Sequence, residues 1–147
     1  MVSEWENKWE ALTPWPTEAD LCELVSVVCH DMGKPVPRIE FRRSGHSWCW
    51  YERKLLQLPE LDWVLEYRAL EHPLHYRLLA LHETAHWLLG PGQGHSVKFY
   101  ELLFGLCETY EVPLDLALQD EQGYKPRNAP KGFKAYLAGK NSESTAA

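Results

Sequence analysis

No two of the four cysteines stand as C-x-x-C. Cys22, Cys29, Cys49 and Cys107 therefore form neither a zinc ribbon nor a dithiol redox motif. Cys22 and Cys29 share one helix face, where thiols serve as small apolar residues. No apolar run approaches the roughly 18 residues of a membrane span. The opening MVSEWENKWE is acidic and has no apolar h-region. The expectation is a cytoplasmic chain with no membrane contact and no disulfide framework. An internal repeat is also missing. A net charge of −6 argues against nucleic-acid binding over the whole surface. Acids are locally absent between Gln122 and Asn141, where Lys125, Arg127, Lys131, Lys134 and Lys140 stand alone. That stretch reads as a solvated basic tail, with nucleic-acid contact through it the lesser alternative.

What is present suffices for a folded domain. A chain of 147 residues can bury a core without disulfides or metal, and its 45% hydrophobic content is that of a globular protein. Three regions are expected: a Trp-rich N-terminal segment (1–16), a main domain (17–122) and a flexible basic tail (123–147). Trp5, Trp9 and Leu12 fall at helical spacing. Thr17 with Asp20 approximates a capping box before the stripe Leu21, Leu24, Val25, Val28, Cys29 and Met32, which Gly33 ends. RIEFR, HSWCWYE and KLLQLP alternate as two or three short antiparallel strands. Pro59 marks the strand around Leu55–Leu58 as an edge strand. Helical patterns return in LDWVLEYRALEH, in PLHYRLLALHETAHWLLG, in HSVKFYELLFGLCETYEV, and weakly in LDLALQ. The fold class is α+β.

The chemistry concentrates in LHETAHWLLGPGQGH, Leu81 to His95. His82 and His86 are four apart, so both rings leave one helix face a turn apart and can meet one metal ion. Glu83 is rotated by about 100° from His82 and is placed to take a proton from water rather than to ligate. A catalytic zinc takes three protein ligands and keeps one open position. GPGQG lets the chain reverse, and His95 is the preferred third ligand, with Glu101 and Glu108 as alternatives. His75 lies on the face of His82 and His86 and suits a capping or surface role. His72 stands at a helix entry. The expected cofactor is one Zn²⁺ per chain.

LLALHETAHWLL and GHSVKFYELL resemble the zincin metallopeptidases of the SprT-like and minimal-gluzincin group. The matching positions are His82, Glu83, His86, His95 and Phe99, and the likeness spans roughly residues 17–112. The resemblance implies a small zincin-like domain: an N-terminal helix, a short antiparallel sheet, the HExxH helix and a following third-ligand helix. It implies a zinc peptidase acting on a peptide or protein substrate, with Leu55, Leu56, Gln57 and Leu58 as the strand that aligns it.

The reading is zinc-assisted peptide hydrolysis, with Glu83 as general base. Tyr100, Tyr110 and Tyr124 are equal candidates to steady the oxyanion. Two other classes compete. One is a non-catalytic zinc-containing peptide-binding module built on Trp48, Trp50 and Tyr51 with Trp5 and Trp9. The other is a nucleic-acid adaptor that uses the basic tail.

Overall fold

Thr17 opens the first helix by the reciprocal bonds its sequence suggests. Its hydroxyl accepts from the Asp20 amide, and the Asp20 carboxylate accepts from the Thr17 amide at 2.8 Å. The computed structural model describes residues 14–146. The tryptophans at positions 5 and 9 lie outside the described residues. Helix α1 (Glu18–Asp31) buries Leu21, Leu24, Val25, Val28 and Cys29, so the apolar stripe is the core face.

Three strands follow: β1 (Arg38–Arg42), β2 (Trp48–Trp50) and β3 (Leu55–Pro59). Their order in the sheet is β1-β3-β2. β3 runs parallel to β1 and antiparallel to β2. This corrects two expectations. The sheet is mixed rather than antiparallel, and β3 is its central strand rather than an edge. Leu55, Leu56 and Gln57 have backbone neighbours on both sides, so the Leu55–Leu58 stretch cannot take an added strand there. Leu55, Leu56 and Leu58 are core residues instead. Pro59 misled because it sits at the strand's last residue, where β2 no longer runs alongside and a missing N–H costs little.

Helix α2 (Leu61–Tyr67) is shorter than its pattern, ending at Arg68 in the left-handed conformation (φ 49°). Helix α3 (Pro73–Leu89) spans the HETAH stretch with proline in its first turn, as its sequence suggests. His72 closes its entry: Nδ1 accepts from the Leu74 amide at 3.1 Å. Tyr76 on α3 donates to the Pro59 carbonyl at 2.7 Å, tying helix to sheet.

The chain divides into two compact units, one through Leu88 and one from Leu89 onward. The second holds α4 (Val97–Thr109), α5 (Leu114–Tyr124) and α6 (Asn128–Ala146). The basic stretch is mostly α6, a helix packed on α4. Its anchor is Gly132, where an added Cβ would lie 2.3 Å from the Tyr100 Cβ. Phe133 packs edge-on against Phe104, with ring centroids 5.2 Å apart. Lys140 and the Tyr136 hydroxyl both donate to Glu108. Phe133 and Tyr136, three apart on one face of α6, make these contacts, which a reading of charge alone passes over. Among the described residues, no helix is long and apolar enough to cross a membrane. The fold is thus α+β, with six helices and a three-stranded mixed sheet among the described residues.

Candidate metal centre

Helix α3 presents its histidines as the four-residue spacing requires. The rings of His82 and His86 meet nearly edge-on, centroids 5.1 Å apart and planes at 67°. His82 is 8% exposed and Glu83 5%. Burying two such polar groups is costly unless they have partners. Ser47 supplies one, its hydroxyl donating to the Glu83 carboxylate at 2.7 Å.

The segment around β2 lines this part of α3 by simple alternation. Ser47 reaches Glu83. Cys49 lies within the electrostatic reach of Glu83. The Tyr51 hydroxyl donates to the His86 carbonyl at 2.6 Å, and its ring stacks on Trp87. Burial pushes the Cys49 thiol up to about 12, and the Glu83 charge adds to the effect. A thiol so held stays protonated near neutrality. Burial likewise raises the Tyr51 phenol, with the neighbouring Cys49 and Glu83 contributing.

His95 follows a loop made for reversal. Gly90, Gly92 and Gly94 all have positive φ, at 94°, 86° and 55°. His95 stands just before the cap of α4, where the Ser96 hydroxyl accepts from the Phe99 amide. Its ring is enclosed by aromatics: Phe99 edge-on at 5.3 Å, Tyr100 stacked at 6.3 Å and Tyr124 edge-on at 5.2 Å. Asn128 donates to its carbonyl at 2.9 Å, so the first turn of α6 also fixes this residue.

His82, His86 and His95 each offer a ring nitrogen, and these atoms lie within 4.8 Å of one another. This group could hold a metal ion. The alternative third ligands, Glu101 and Glu108, are not in it. Glu108 is committed to Lys140 and Tyr136, and the Lys140 bond holds its carboxyl below the usual range.

No protein-family model, curated protein or solved structure matches this chain.

The three tyrosines separate. Tyr124 is exposed and touches the His95 ring. Tyr100 is fully buried, and its phenol is raised by burial and by Glu121 beside it, so its hydroxyl serves the core. Tyr110 is the C-cap residue of α4, beyond the helix end remote from His95. Sequence reasoning missed Ser47 and Asn128, whose partners lie 36 and 33 residues away. The alternation of HSWCWYE held the signal for Ser47, because it puts positions 47, 49 and 51 on one side. Nothing local pointed to Asn128.

Proposed function

We propose that this chain is a zinc-dependent peptidase of the zincin type. The observation that carries the reading is the convergence of His82, His86 and His95, with Glu83 next in sequence to His82 and oriented by Ser47. The donors suit zinc: three imidazoles and no thiolate, the set found in open, catalytic sites. Tetrahedral ligands at about 2.1 Å from zinc lie about 3.4 Å apart, so side chains within 4.8 Å need only a small inward shift. A bound zinc would supply Lewis acidity, acidifying water and polarising a peptide carbonyl.

The chain's own residues do the rest. Glu83 takes a proton from the attacking water and delivers it to the leaving amine. Ser47 holds the carboxylate in place through its hydroxyl. Tyr124 is the phenol best placed to donate to the developing oxyanion. The α+β topology, with a motif helix lined by an outer strand, supports the zincin-like assignment. That outer strand is β2, and the substrate runs along it.

The test is Glu83→Gln. The variant is expected to keep its zinc and to lose at least about a hundredfold in hydrolysis of unfolded casein. Undiminished turnover would remove Glu83 from the mechanism. One observation favours a second reading, a non-catalytic zinc-containing peptide-binding module: Trp48 and Trp50 stand exposed on β2. In that case neither the wild type nor the variant cleaves anything, and both bind peptides equally.

A further inference from the structure

The two sides of the β2 segment differ sharply. Alternation sends Ser47, Cys49 and Tyr51 toward α3 and His46, Trp48 and Trp50 the other way. Trp48 is 52% exposed and Trp50 44%. The outward rings form a row, with His46 to Trp48 and Trp48 to Trp50 each 6.4 Å between centroids. Arg53 ends the row, its guanidinium 5.3 Å over the Trp50 ring.

β2 is also an edge strand, and no further strand pairs with it among the described residues. The opposite edge, β1, shows Arg38, Glu40 and Arg42 on the same face of the sheet. Charges of that kind discourage strand addition. β2 presents tryptophans where β1 presents charges. Neighbouring exposed tryptophans on a strand edge are the kind of apolar patch that binding surfaces use.

Charge adds a direction. Between positions 34 and 54 stand six Lys and Arg against two Glu, a local net of +4 in a chain whose total is −6. Arg42 and Arg43 are paired with Glu40 and Glu66, whereas Arg53 lies over the aromatic row. These bases favour a negatively charged ligand at an apolar strip whose backbone edge pairs with no further strand among the described residues.

We propose that the outer edge and face of β2 select an acidic, apolar polypeptide in extended conformation. Such a segment adds to β2 as a fourth strand, a recognition mode in which backbone bonds give affinity and alternate side chains give specificity. Its alternate apolar residues rest on Trp48 and Trp50, and its carboxylates face Arg53 and the neighbouring bases. Single-stranded nucleic acid could stack on the same rings, but it has no use for the free strand edge. The inference rests on the peptidase reading and names its substrate class, and it can be measured without turnover.

The experiment is fluorescence anisotropy with the full chain. Three labelled probes are used: a peptide of about ten residues alternating Glu with Phe, its Lys/Phe counterpart, and an oligothymidylate of about twenty nucleotides. The Glu/Phe peptide is expected to bind roughly tenfold or more tighter than the Lys/Phe peptide. Replacing both tryptophans (Trp48→Ala with Trp50→Ala) should weaken it about tenfold or more. Arg53→Glu should shift preference toward the Lys/Phe peptide, a gain that a misfolded chain cannot show. Equal affinity for the two peptides would overturn the inference, and so would tighter binding of the oligothymidylate. Acidic-peptide selection by a chain that holds no zinc would sink the peptidase reading and leave this one standing. Zinc-dependent hydrolysis without acidic preference would do the reverse.

Discussion

Helix α3 uses histidine in two ways within four turns, and the contrast separates a structural residue from a candidate ligand. At its start, His72 is 0% exposed and spends Nδ1 on the Leu74 amide. In its middle, His82 is slightly more exposed, yet its ring turns toward His86 and shares a small volume with His95. Burial therefore ranks these residues in the wrong order. Convergence of donor atoms, rather than depth, marks the site, because a metal ion needs several lone pairs aimed at one point. Glu83 shows the same logic: it is buried, but beside donors and an orienting hydroxyl.

The largest expected effect lies in the middle of the helix. His86→Ala should reduce zinc affinity by at least a hundredfold, read by competition with a chromophoric chelator, because two remaining imidazoles make a weak site. If affinity holds, the middle of α3 is no different from its start. His72→Ala should leave zinc stoichiometry intact and lower stability by about 2 kcal/mol, through loss of the cap and of buried volume. Urea unfolding of the metal-free protein reads that cost, and a loss of zinc instead would erase the distinction. Ser47→Ala should keep the metal and slow hydrolysis several-fold, since Glu83 loses its orienting donor. Assays of kcat against zinc content separate the two. The smallest effect is expected from Tyr51→Phe, which removes one bond to the His86 carbonyl at about 1 kcal/mol of stability. Zinc affinity should change far less than in His86→Ala.

Much of this contrast was legible before the structure. Spacing alone put His82 and His86 on one face, and proline and glycine marked both ends of α3. The three strands were legible as segments because alternation is a local property. Their order was not, since strand pairing depends on which surfaces the helices cover. Hence β3 reads as an edge from Pro59, although Leu55, Leu56 and Leu58 suit a strand buried on both sides. The place of His95 depends on how a glycine-rich loop reverses. The positive φ values at Gly90, Gly92 and Gly94 supply that turn. The basic stretch misled because lysines outnumber the aromatics that anchor it. Phe133 and Tyr136 share one face of α6 and meet Phe104 and Glu108 on α4. Ser47 and Asn128 show the limit most plainly, since each meets its partner only after the chain has folded.

The most direct test is the metal content of the protein purified without added metal, with His95→Ala and His72→Ala prepared in parallel. The account predicts about one zinc per chain in the wild type and in His72→Ala, and little in His95→Ala. A wild type that takes up no zinc even when it is offered would contradict it, as would full retention by His95→Ala.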